Sequence, residues 1–382
     1  MTQLRNKFWP WHSILFAMAF LFVLRPEVAQ AKDDVQANLP THREIVLAAI
    51  DQHILPRIDI FSAKAKALSG AVAEYCQAPA PRDDTAIMAA FKDAVISWAA
   101  VATDRIGPAR KRDRSTRISF WPDPRGIVKR QLRVVLKKRD PELLQPGAIA
   151  KRSVAIQGLP ALENLLFNAR PKETPKLAKY RCDLAIRVAE NVSVQAVELK
   201  AGWLGENGWR QLMLTPGPDN LIYKTELDAA NEVIRSYMTA MQIIRDSQIL
   251  PWIKAIEKSR NSARLPFERT GLSRQYLASQ YASVAELHEA IGLVAFADAL
   301  AAKNEKKAWM ANWLRIAFKT MLRQTSKLEL PAVAASNDAE SKVQLAPLRQ
   351  LKFYTSGLRQ IVGREIVPMA GLFLGFNELD GD

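Results

Sequence analysis

Between residues 46 and 72 the apolar positions leave little choice of fold. Val46, Ile50, Ile54, Ile58, Phe61, Ala65, Leu68 and Val72 recur at steps of three and four. That spacing puts all eight on one stripe of a long α-helix. Thr41 with Glu44 three residues on forms a capping box at its start. Pro56 is expected to kink it, and the APAPRDD segment (78–84) ends it. Helical periods return over 85–103, 180–203, 221–246, 273–303, 306–327 and 346–367. Neither a period-2 strand pattern nor a βαβ alternation appears. The expected class is all-α, arranged as two helical bundles.

Proline and glycine punctuate the rest. Pro122, Pro124, Pro141 and Pro146 bound a loop and a shorter basic helix. A further helix is expected from about 147, breaking at Gly158-Leu159-Pro160 and resuming through 167. With Pro160 at the first helical position, Glu163 falls in the first turn, where the helix dipole favours a carboxylate. Gly202, Gly205, Gly208, Pro216, Gly217 and Pro218 crowd one short span. They set the expected boundary between domains 32–205 and 206–382. Residues 331–342 read as an exposed loop.

The first 31 residues stand apart. Arg5 and Lys7 precede an eleven-residue apolar run (14–24), and Ala29-Gln30-Ala31 follows it. That order is a secretory signal peptide with an A-x-A cleavage site. The run is too short to span a bilayer, which takes about 20 residues. The expected product is exported, and periplasmic in a Gram-negative source. Export places Cys76 and Cys182 in an oxidising compartment, where they form either a disulfide or two buried thiols.

Familiar catalytic patterns are missing: there is no HExxH, CxxC, GxxxxGK[ST] or GxSxG. Beyond the signal only His42, His53 and His288 remain, far apart in sequence. Of the net charge of +15, most sits in residues 105–139, with thirteen Lys or Arg against Asp113 and Asp123. Such a segment attracts anions: carboxylate-rich iron chelates, anionic lipid heads or a partner's acidic face. Nucleic acid is set aside as a partner because an exported protein seldom meets it. Two segments combine apolar residues, glycine and carboxylates in a way packing alone does not ask for. One is Gln157 to Glu163, and the other the tail Gly371 to Asp382, which ends in Asp-Gly-Asp.

These segments, with Phe120-Trp121-Pro122-Asp123, the stretch from Tyr180-Arg181-Cys182 to Trp203, and PFERTGLS (266–273), carry a resemblance. The chain resembles the imelysin family of bacterial exported proteins, also called the M75 peptidase family, over nearly its whole length. The resemblance implies two helical bundles of related topology meeting at a functional cleft. It also implies a periplasmic or cell-surface setting and an association with iron acquisition. The family signature GxHxxE was proposed to supply metal ligands to a metallopeptidase. Here Gly158 and Glu163 match it, and Pro160 stands where the His belongs.

Proline has no donor atom, and a catalytic zinc normally takes three protein ligands and a water. The departure weakens the peptidase reading. It leaves Glu163 as a candidate ligand for iron or another divalent or trivalent metal, with Asp123 and Asp380 as oxygen donors if the fold gathers them. The expected binding positions are Gly158, Glu163, Trp121, Asp123, Arg125, Arg269, Ser273, Asn377 and Asp380, with Arg125 and Arg269 holding anionic groups. Three readings follow. The first is a non-catalytic component of iron acquisition that binds iron, an iron chelate or another iron-uptake protein. The second is a metal-dependent peptidase. The third is an envelope module whose basic segment docks on an anionic membrane surface.

Overall fold

A computed structural model describes residues 39–79, 82–168, 173–257, 265–328 and 343–375. The signal segment, the loop 331–342, Asn377 and Asp380 lie outside the described residues. Within them all regular structure is helical, and no helix is long and apolar enough to cross a membrane.

The first helix, α1 (residues 42–77), comprises His42–Ala48, a π-helical turn Ala49–Ile54, and Leu55–Gln77. Its start is the capping box: Thr41 Oγ accepts from the Glu44 backbone N–H, and Glu44 accepts from the Thr41 N–H at 2.8 Å. The kink expected at Pro56 takes the form of that π turn. A proline ring collides with the carbonyl four residues back, and widening the helix over Ala49–Ile54 moves that carbonyl aside. The device recurs. The π turn Arg245–Ile249 ends two residues before Pro251, and Val362–Ile366 ends two before Pro368.

Helix α2 (Thr85–Val101) and α5 (Pro175–Leu204) pack along α1, with α4 (Leu159–Leu166) laid on α5 and α3 (Ile127–Lys138) against α4. Cys76, at the end of α1, and Cys182, on α5, form a disulfide. The second group comprises α6 (Glu226–Ile244, extended through the π turn into Leu250–Glu257), α7 (Ser273–Ala290), α8 (Leu293–Lys303), α9 (Ala308–Ser326) and α10 (Leu345–Ile361). The helix expected over 273–303 is divided by Gly292, whose φ of +69° stops α7 and restarts the chain as α8.

Several contacts join the groups. Helix α7 packs on α2, and the opening turns of α1 pack on α6. The buried apolar side chains therefore form one continuous cluster, with Trp98, Trp203 and Trp252 among its largest members. Each fully buried Leu, Ile or Phe contributes about 1.5–3 kcal/mol.

The expected α-helix from 147 is absent. Residues 149–156 make two 3₁₀ turns, Ile149–Lys151 and Val154–Ile156. The α-helix starts at Leu159, with Pro160 second, so Glu163 lies fifth, past the first turn. Its carboxylate is therefore not stabilised by the free N–H groups of the helix start, and its partner comes from elsewhere.

Candidate functional site

Three segments converge at the junction of the two helix groups. The first, residues 119–126, follows the short helix Arg114–Ile118 and passes through a cis Trp121-Pro122 peptide. Asp123 organises it, since its carboxylate accepts from the Ile127 N–H at 2.7 Å and the Val128 N–H at 3.0 Å. Two of the four otherwise unpaired donors at the start of α3 are thereby satisfied.

The second segment is α4. Pro160, Glu163 and Asn164 share one face at spacings of three and four, and the Asn164 amide donates to the Pro160 carbonyl at 2.9 Å. Gly158 seats this helix. A Cβ there would lie 2.2 Å from the Ile118 carbonyl oxygen and 2.5 Å from that of Arg117. Its role is the close approach of two backbones.

The third segment is the turn 265–272, contributed by the second half of the chain. Ser273 Oγ donates to the Pro266 carbonyl at 2.7 Å, and the Leu272 N–H donates to the Phe267 carbonyl at 3.0 Å. Phe267 packs its ring between Phe91 and Tyr276. So held, the turn presents Thr270 to Glu163, whose Oε1 accepts from the Thr270 N–H at 3.0 Å and its hydroxyl at 2.8 Å. Arg269 donates to Asn168 at 2.9 Å and Asn164 at 3.3 Å.

A cavity of about 470 Å³ opens between these segments. Ser119, Trp121 and Asp123 line it from the first, Lys129 from the adjoining α3, Pro160, Glu163 and Asn164 from the second, and Glu268 and Arg269 from the third. Glu163 is buried, and burial pushes its carboxyl above the ordinary range; the two Thr270 bonds and the Arg269 charge pull the other way without cancelling it. Two buried donors of lining residues, Ser119 Oγ and Trp121 Nε1, have no partner among the described residues.

Of the expected site residues, Trp121, Asp123, Glu163 and Arg269 come together here. Gly158 and Ser273 stand behind the wall as supports, and Arg125 is exposed outside it. Thr270, Ser119, Lys129 and Asn164 were missed. Thr270 sits inside the PFERTGLS stretch, but nothing local pairs it with a residue 107 positions earlier.

The sequence model of the imelysin family (Peptidase M75) matches residues 54–352, well over half the chain. The chain belongs to the imelysin family. Two solved structures share its fold. An imelysin-like protein from Psychrobacter arcticum superposes with a TM-score of 0.69 at 15% identity, over 88% of this chain and 97% of that one. A candidate iron-regulated protein A precursor from Parabacteroides distasonis gives 0.60 at 15% identity, over 85% and 98%. No curated protein matches the chain in sequence.

In this imelysin the degenerate motif runs Gly158-Leu159-Pro160-Ala161-Leu162-Glu163. Among the described residues no three His, Cys, Asp or Glu side chains gather as a metal-holding group. The Asp123 carboxylate is engaged at the start of α3, and one Glu163 oxygen is engaged by Thr270. A three-ligand catalytic zinc does not fit this set of side chains, so no hydrolytic step is derived from them.

Proposed function

We propose that this imelysin is a non-catalytic binding component of iron acquisition, exported and divided near Gly205 into two domains, with an iron chelate held in the cavity beside Glu163. One observation carries the reading. The motif carboxylate that would polarise or ligate in a metallopeptidase is instead locked to Thr270 across the junction, and the same junction encloses a walled space of small-molecule size. The wall sets two cations, Lys129 and Arg269, beside three carboxylates, of which Asp123 and Glu163 are hydrogen-bonded within the fold. That inventory suits an oxygen-rich chelate better than a bare ion. The iron assignment is supported by family membership and by the name of the Parabacteroides relative.

Calorimetric titration of the purified protein with ferric citrate tests this, beside an Asn164→Trp variant that fills the cavity. Saturable binding at one site per chain, lost in the variant, is expected. No binding by the parent protein, or equal binding by the filled variant, overturns the reading.

The envelope reading draws on a different observation. In the basic segment Arg114 and Arg117 are engaged internally, Arg114 with the Pro108 carbonyl and Glu198, Arg117 with the Arg112 and Ala150 carbonyls. Arg130, Arg133, Lys137 and Lys138 of α3 remain exposed. Salt-dependent binding to vesicles containing anionic lipid, lost when these four are neutralised, would establish that role.

A further inference from the structure

Independently of the cavity and of α3, we propose that the outer face of the α9–α10 pair docks on an anionic lipid surface. Trp309, Ile316 and Phe353 enter the headgroup layer, and Lys319, Arg323 and Lys352 meet lipid phosphate. The observation behind it is an aromatic seam turned outward. Lys307, just before α9, pairs with Glu365, just past α10, so the two helices run antiparallel. Along α9, Trp309, Trp313 and Ile316 recur at steps of four and three and share one face. The Trp313 ring lies over Gly357 of α10, where a Cβ would come within 2.6 Å of it, and stacks on Tyr354 at 5.4 Å. Phe353 meets Tyr354 edge-on at 5.4 Å. Trp309 is 53% exposed, Ile316 42% and Phe353 63%. Single exposed apolar side chains are ordinary on a protein surface, but a contiguous set rimmed by charge marks an interaction site.

The charge on these two helices has one sign. They carry Arg315, Lys319, Arg323, Arg349, Lys352 and Arg359 and no Asp or Glu. The carboxylates paired with Arg315 and Arg349 are Asp298 and Glu257, which belong to α8 and to the extension of α6. Glu305, in the turn before α9, is followed by Lys306 and Lys307. Lys319, Arg323 and Lys352 are exposed and form no ion pair among the described residues. A second copy docking by the same face would set these cations against their own kind. Protein interfaces are depleted of Lys around their aromatic anchors. Trp and Tyr edged by Lys and Arg is instead the composition of a bilayer interface, where the rings sit among the headgroups and the cations meet phosphate. Two antiparallel helices can lay their shared outer face on such a surface.

Because these side chains are exposed, they can be changed without touching the core. Two double variants serve: Trp309→Ser with Phe353→Ser, and Lys319→Gln with Lys352→Gln. Both should melt with the parent protein. Each protein is sedimented with vesicles of phosphatidylglycerol and phosphatidylcholine in equal parts, and with vesicles of phosphatidylcholine alone. We expect binding to the anionic vesicles only, weakened about tenfold or more by loss of the two aromatic rings and about tenfold by loss of the two charges. Brominated acyl chains should quench part of the tryptophan fluorescence of the bound parent protein, and less of it in a Trp309→Phe variant.

No binding of the parent protein to the anionic vesicles overturns the proposal and leaves the face to an acidic protein partner. Equal binding by the parent and both double variants overturns it as well, and so does equal binding to the neutral vesicles. Binding lost on neutralising Arg130, Arg133, Lys137 and Lys138 of α3, but kept in both double variants, assigns the membrane contact to α3 instead. Loss in the charge variant alone, with no quenching by the brominated chains, reduces the contact to charge attraction, and the entry of Trp309 and Phe353 into the headgroup layer falls.

Discussion

Thr270 donates twice to one oxygen of Glu163, through its backbone N–H at 3.0 Å and its hydroxyl at 2.8 Å, across 107 residues of chain. The two halves of the protein are thus tied at the cavity by a carboxylate that burial alone would penalise. Thr270→Val keeps the backbone bond and removes the other. The variant should lose about 1–2 kcal/mol in urea unfolding, whereas Thr270→Ser should stay within a few tenths of the parent protein. A loss in Thr270→Ser with none in Thr270→Val would mean the methyl group matters and the hydroxyl does not.

Gly158 offers a sharper steric test. A methyl group there meets the Ile118 carbonyl oxygen at 2.2 Å, and backbone cannot yield as a flexible side chain would. Gly158→Ala should cost about 3 kcal/mol or more and displace α4. Wild-type stability with intact ligand binding in this variant would show that the two backbones are not so close.

Acid stability should report His288. It is 1% exposed, with Nδ1 3.1 Å from the Tyr237 hydroxyl and Phe318 against its ring. Burial pushes its pKa down from 6.5 to about 4. Because the folded value lies below the unfolded one, the neutral imidazole's advantage is complete above about 6.5 and is lost as the pH falls toward 4. The loss across that window should be about 3 kcal/mol. Denaturant midpoints at several pH values should show a His288→Gln variant escaping most of this decline. Parallel pH curves for the two proteins would refute it.

Cys76 and Cys182 close a loop of 106 residues. Reduction, or the Cys76→Ser change, should lower stability by about 4–5 kcal/mol in the chain-entropy account. The effect should be seen as a fall in Tm under dithiothreitol that the serine variant no longer shows. An unchanged Tm in the parent protein would place little of its stability in the cross-link.

The helices were legible because burial imposes a period, and α1, α2, α5 and α9 carry theirs in nearly every turn. The π turns were not legible as such, although each precedes a proline by two residues and that proline was in plain view. Glu163 shows the limit of local reasoning. Taking Pro160 as the first helical residue placed Glu163 beside the free N–H groups of the helix start. The helix in fact begins one residue earlier. What then satisfies Glu163 is a threonine brought in by the fold. Trp121, Asp123 and Arg269, singled out through their motifs, line the cavity, but a motif does not say whether a residue lines a space or braces its wall. Ser273 and Gly158 turned out to be braces.

The front of α1 does not pack with the rest of its own helix group. His42–Ala48 lies on α6, and His42 Nε2 is 2.9 Å from the carbonyl oxygen of Ala370, 328 residues away. A ribosome makes this segment early and its last partner almost at the end. The opening turns therefore keep their apolar stripe uncovered until α6, residues 226–244, has been made, and gain the Ala370 contact only near the end.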